Sequence, residues 1–253
     1  MIRSTIREVS PSFPDTRCQP AGMPGTPVRS GADASSLNVS LIVTEHCNLG
    51  CPDCVHRIPF LKQRRHMPVS YFEWLSGVFA GVRIRSLIIE GGEPTLHPDF
   101  GLLARNWREW FDIGSLVLTT NGCQLQQIED SLGRFDEVQL TEYPGLNDRE
   151  IAWARERGIP GLHVGFDVPG GEQFPLDAKP FAGVENPPMC RWRNCRIVWA
   201  RKIWICVGAE NAGRHVPLDR DGWIKKLDRI DRPGLCRDCF VPASWRLADA
   251  KSG

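Results

Sequence analysis

Hydrophobic and polar positions along this chain follow two periods, and the switches between them mark its elements. Short apolar runs at 38–44, 86–89, 115–119, 137–141 and 162–166 are bounded by Gly, Pro, Asn and Asp, and read as strands. Helical stretches separate them. Ser70 with Glu73 has the form of a capping box for a helix running to about Gly81, and Asn147 with Glu150 has the same form for one ending at Gly158. Two further helices are expected over 99–111 and 124–132. Strand and helix in repeated alternation predict a parallel sheet with right-handed crossovers, as an open doubly wound sheet or a partial barrel. In both architectures chemistry collects at the C-terminal ends of the strands.

The ends of the chain depart from this pattern. Residues 1–37 carry prolines at 11, 14, 20, 24 and 27 among Ser, Gly and Arg, without sustained periodicity, and read as a flexible leader. Beyond about residue 175 the alternation stops. There "RIVWARKIWICV" reads as a short hairpin turning at Ala200 to Lys202. We therefore expect a leader at 1–37, an α/β unit at 38–175 and a small hairpin-containing unit at 176–253.

Composition narrows the function. A net charge of +1 over 253 residues gives no overall field for nucleic acid or an acidic membrane, and no local basic patch is obvious from sequence. No run reaches membrane-spanning length, and the N-terminus lacks the apolar core of a secretory signal, so a cytoplasmic protein without nucleic-acid or membrane partners is expected. Ten cysteines without an export signal point to metal ligation, since cytosolic thiols are kept reduced.

Three of those cysteines lie in "EHCNLGCPDCVHR". Cys47, Cys51 and Cys54 have the spacing C-x3-C-x2-C and fall in the loop after the first strand, at the catalytic edge. Three thiolates with one open position suit a 4Fe-4S cluster whose fourth iron can take a ligand. The alternative is zinc completed by His46 or His56. To the same edge the second strand delivers "EGGEP", the third "TTNG", the fourth "TEYPG" and the fifth Asp167. Each of these turns is common in isolation; their convergence beside the cysteines sets them apart.

The cysteine triad, the Gly-Gly-Glu-Pro turn and the Thr-Asn-Gly turn together resemble the radical S-adenosylmethionine (radical SAM) superfamily over residues 38–167. That resemblance implies that Cys47, Cys51 and Cys54 hold a 4Fe-4S cluster whose open iron chelates SAM. It further implies that Gly91, Gly92 and Glu93 meet the SAM ammonium, that Asn121 contacts its ribose or carboxylate, and that a flavodoxin or ferredoxin-type reductant supplies electrons. Where the family usually carries an aromatic residue near the adenine, this chain has Asp53.

The later cysteines resemble the twitch form of the SPASM extension found behind many radical SAM cores. The family pattern implies that Cys190, Cys206, Cys236 and Cys239 ligate an auxiliary 4Fe-4S cluster, with Cys195 too close to the hairpin to serve. The usual glycine in the hairpin turn is absent, and a zinc-ribbon clip is the alternative. Resembling enzymes with one auxiliary cluster include aminocyclitol dehydrogenases, which implies abstraction of a hydrogen atom from a small polar substrate (a sugar, aminocyclitol or amino acid) and oxidation of an alcohol. Glu142, Tyr143 and Asp167 are the strand-end groups that could act as base. Epimerisation with Cys123 or Cys195 as hydrogen donor is a second reading, peptide modification a third, and a zinc-stabilised binding module the non-enzymatic one.

Overall fold

The computed structural model describes residues 36–51, 54, 56–143, 145–165, 195–205, 215–219 and 222–230. Five strands follow the predicted alternation: β1 (Ser36–Thr44), β2 (Arg83–Gly91), β3 (Ile113–Thr120), β4 (Glu137–Thr141) and β5 (Leu162–Gly165). The connecting helices are α1 (Val69–Val78), α2 (Phe100–Trp110), α3 (Glu129–Leu132) and α4 (Asp148–Glu156). All five strands run parallel and pair in the order β5-β4-β3-β2-β1.

Register explains why this order is stable. Leu41, Ile89, Leu118, Val138 and Leu162 lie side by side as one apolar row across five strands. A one-residue slip of any strand would replace its member of that row with a residue from the opposite face. The row packs under the helices, where Phe72 of α1 and Trp107 of α2 are fully buried and meet edge to face at 5.1 Å. The opposite face is polar yet also buried, with Asn38, Ser40, Ser86, Glu137 and Gln139 shielded from solvent. Burial on both faces is the usual condition of a parallel sheet.

The hairpin forms as expected, from β6 (Cys195–Trp199) and β7 (Lys202–Trp204), followed by β8 (Val216–Pro217) and α5 (Trp223–Asp228). It does not build a sheet of its own. β6 pairs parallel with the free side of β1, Asn38 opposite Cys195 and Leu41 opposite Val198, and the antiparallel β7 and β8 extend the same sheet to eight strands. Ile197, Val198, Ile203, Trp204 and Trp223 are buried within the common core.

Both expected capping boxes are absent. The backbone at 65–67 is pinned to the end of β1, with Glu45 N donating to Arg65 O and Met67 N to Val43 O. Pro68 then becomes the N-cap and Ser70 falls inside the first turn of α1. Asn147 does occupy the N-cap of α4, but its carboxamide is drawn into neighbouring loops. The stretch expected to be helical over 124–132 is mostly turns, with only Glu129–Leu132 helical. Among the described residues no helix is long and apolar enough to cross a membrane.

Candidate active site

At the C-terminal edge of the sheet, the loop after β1 and the turn after β2 lie against each other through their backbones. Gly92 N donates to Thr44 O at 2.8 Å and Glu93 N to His46 O at 2.7 Å. A Cβ on Gly91 would stand 2.4 Å from Thr44 O, and one on Gly92 would stand 2.2 Å from His46 O. Glycine is required at both positions because the cysteine loop occupies that space.

Glu93 joins this pair of loops to the third. The residue is 1% exposed. Its Oε1 accepts from Thr95 N (3.1 Å), Thr95 Oγ1 (2.7 Å) and Thr120 Oγ1 (2.6 Å), and its Oε2 accepts from Asn121 N (2.7 Å). Burial raises the pKa of this carboxyl, and the four donors oppose that shift. The sequence reading aimed this carboxylate at the SAM ammonium. In the structure it joins the turns after β2 and β3.

Asn121, expected to meet SAM, faces the cysteine loop. Its Nδ2 donates to Asn48 Oδ1 at 2.8 Å and lies 4.0 Å from Cys47 Sγ, while its Oδ1 accepts from Cys123 N. Asn147, which the sequence reading took only as a helix cap, adds the fourth loop: its Nδ2 donates to Asn121 O and Thr141 O, and its Oδ1 accepts from Tyr143 N. Loops after β1, β2, β3 and β4 thus form one hydrogen-bonded body.

Cys47, Cys51 and Cys54 all stand half-buried on this body, none of them in a disulfide. The Cys47 thiol is pushed up to about 11, first by burial and also by the charges of Glu93, Cys51 and Cys54; the Leu49 N–H opposes the shift. Three thiolates gathered here need a bound cation to hold them ionised. The two histidines of the zinc alternative have other contacts. His56 pairs with Glu90 (Nε2 to Oε1, 3.4 Å), and His46 stacks on His66 at 4.1 Å between ring centroids.

Of the expected catalytic groups, Glu142 and Tyr143 are half-buried at this edge. Burial, followed by the charges of Cys51 and Cys47, raises the Tyr143 phenol above its ordinary range, and its hydroxyl bonds to Cys51. Cys123 stands half-buried beside Glu93 and Thr95, and its thiol is pushed up to about 12, chiefly by burial. Cys195 is opposite Asn38 at the N-terminal end of β1, six strand positions before Thr44 and away from the catalytic edge. Asp53, Asp167, Cys190, Cys206, Cys236 and Cys239 lie outside the described residues.

Sequence reasoning missed Glu45. It is buried beside the triad and accepts from Arg65 N, Arg65 Nε and Trp199 Nε1, tying the hairpin to the cysteine loop. An acidic residue inside "TEHC" was the available signal, and nothing in its spacing gave it a partner.

No family model matches the chain. The GTP 3',8-cyclase of Caulobacter vibrioides is 34% identical over 108 residues, covering 41% of this chain and 30% of that protein. The GTP 3',8-cyclase of Mesorhizobium japonicum is 32% identical over 185 residues, covering 66% and 53% respectively. The chain therefore spans about a third to a half of the length of these curated relatives. The crystal structure of BtrN in complex with AdoMet and 2-DOIA matches with a TM-score of 0.57 at 16% identity, over 80% of this chain and 85% of that one. This likeness shows the fold, an α/β partial barrel. The relatives and the three motifs together support the radical SAM superfamily for the core.

Proposed function

We propose that this chain is a radical SAM oxidoreductase acting on a small polar substrate such as a sugar, an aminocyclitol or an amino acid. The observation that carries the reading is the joining of the three motifs: the Cys47 loop, the Gly91–Glu93 turn and the Asn121 turn are hydrogen-bonded to one another around the three cysteines. Cys47, Cys51 and Cys54 would hold the SAM-binding 4Fe-4S cluster, and Cys190, Cys206, Cys236 and Cys239 an auxiliary one. When bound, these groups supply a 5'-deoxyadenosyl radical for hydrogen-atom abstraction and an acceptor for the electron left on the substrate.

The chain's own residues position the substrate and move the protons. Glu93 fixes the SAM-facing turn by holding Thr120 and Asn121. Oxidation of an alcohol also requires the hydroxyl proton to leave, and Glu142, half-buried just after β4, would accept it, with Asp167 the other expected base. Tyr143 donates. One observation favours a second reading, epimerisation: Cys123 presents a protonated thiol at the same edge, the form that can return a hydrogen atom.

Anaerobic reconstitution tests the proposal. About eight irons per chain, falling to about four in a Cys47, Cys51, Cys54 triple alanine variant, together with SAM-dependent release of 5'-deoxyadenosine, is the expected result. About four irons falling to none would remove the auxiliary cluster and the alcohol oxidation built on it. A chain that binds zinc and ignores SAM would sink the enzyme reading altogether.

A further inference from the structure

The segment that leaves the third cysteine has a surface the proposed chemistry has not used. Against the expectation from sequence that no basic patch is obvious, from Cys54 to Phe72 the chain contains Arg57, Lys62, Arg64 and Arg65 and no Asp or Glu, a local excess within a protein of net charge +1. The segment is structurally continuous with the cysteine loop. Arg57 N donates to Cys54 O at 2.9 Å, a short 3-10 turn follows at Ile58–Phe60, and Ile58 anchors it in the interior. Buried Glu45 partly neutralises Arg65. Arg57, Lys62 and Arg64 are exposed, and Arg64 Nη2 reaches back to Pro59 O at 3.5 Å. In their midst Phe60 is 54% exposed. An apolar side chain within a basic rim is the form of a protein-docking surface, with the rim steering approach and the centre supplying contact.

Resting on the proposed cluster chemistry, we infer that this patch docks an acidic one-electron carrier protein of the flavodoxin or ferredoxin kind. A cluster held by Cys47, Cys51 and Cys54 has to be reduced from outside the chain. The loop that carries those cysteines exposes Asn48 and Gly50 to solvent, so a carrier seated on Phe60 and its basic rim comes up against that loop. Opposite charge gathers such a carrier at the place where its electron is used.

The test follows reduction of the reconstituted holoenzyme by stopped-flow absorbance, with reduced flavodoxin as one donor and dithionite as the other. The Lys62→Glu/Arg64→Glu variant changes neither a thiol nor a motif residue. At low salt its reduction by flavodoxin is expected to be about tenfold slower or worse, with the salt dependence of the parent largely lost and reduction by dithionite unchanged. Phe60→Ser is expected to weaken flavodoxin binding while keeping the salt dependence. Equal flavodoxin rates in parent and charge-reversed protein would overturn the docking surface. If charge reversal also slows dithionite, the milder Lys62→Ala/Arg64→Ala variant decides: a flavodoxin rate equal to the parent's overturns the proposal, and a selective loss upholds it. A patch that binds a single-stranded oligonucleotide and not flavodoxin would overturn it too. A parent that loads no iron would overturn the cluster reading beneath it, a result distinct from a loaded cluster that flavodoxin reduces without using the patch.

Discussion

Glu93 shows how one side chain can hold two turns of a site together. Its Oε1 serves three donors and its Oε2 serves the Asn121 N–H, and the side chain is buried. Glu93→Gln keeps the shape and the acceptor that serves Thr95 and Thr120, but sets an amide N–H against the Asn121 N–H. Threonine hydroxyls can turn to accept; a backbone N–H cannot. The orphaned donor is expected to cost about 1–3 kcal/mol, read from urea unfolding of the apo chain. SAM-dependent deoxyadenosine release should fall as well, because the Asn121 turn loses its tether. Unchanged stability would show that the carboxylate is not the strut its hydrogen bonds describe.

Elements carry their own consequences. The β6–β7 hairpin turns on Ala200 and Arg201, both at positive φ (48° and 62°), the backbone of a two-residue hairpin turn that Asn-Gly normally fills. The missing glycine noted in the sequence is therefore a strained turn, at roughly 1 kcal/mol for each residue, and Arg201 recovers part of it by lying 4.5 Å over the Trp74 ring. Ala200→Asn is expected to raise the thermal midpoint by a few degrees, whereas Arg201→Gly, which relieves strain but loses the ring contact, should leave it nearly unchanged. A second element is the bridge at His66. Burial lowers the pKa of His66 and of His97, and the two rings meet edge to face. The unfolded chain then binds protons at a higher pH than the folded one, so stability is intact above about pH 6.5 and falls as pH drops below it. His66→Gln, which keeps a partner for the Thr44 hydroxyl, should flatten that slope in unfolding curves taken between pH 7.5 and 5.5.

At the scale of the whole molecule, the five strands, their parallel alternation with helices and the edge to which their turns lead were legible because apolar runs and their turn residues are local signals. The cysteine triad and the turns that carry Gly91, Gly92 and Asn121 are local patterns of the same kind, and the structure brings their loops together. The bonds of Glu45 and Asn147 could not, since each joins residues far apart in the chain. Nor could the destination of the hairpin, because a strand's neighbours are not written in its own pattern. That last point bears on where the chain divides. The sequence places a boundary near residue 175, yet β6 covers the free side of β1, and Trp223 packs on Phe79 at 4.9 Å between ring centroids. A fragment ending at residue 175 would expose the free side of β1 and remove nine buried residues, Ile197, Val198, Ile203, Trp204, Ile205, Val216, Leu218, Trp223 and Leu227, from the common core. We expect such a fragment to aggregate or to behave as a loosely packed monomer, without the near-ultraviolet circular dichroism of the full chain and with weak retention of iron. Adding residues 195–230 as a separate polypeptide should restore part of the signal. A fragment that is monomeric, cooperatively folded and iron-loading by itself would mean that the α/β unit is autonomous, and the contact of Trp199 with Glu45 beside the cysteines would then be incidental to holding that loop in place.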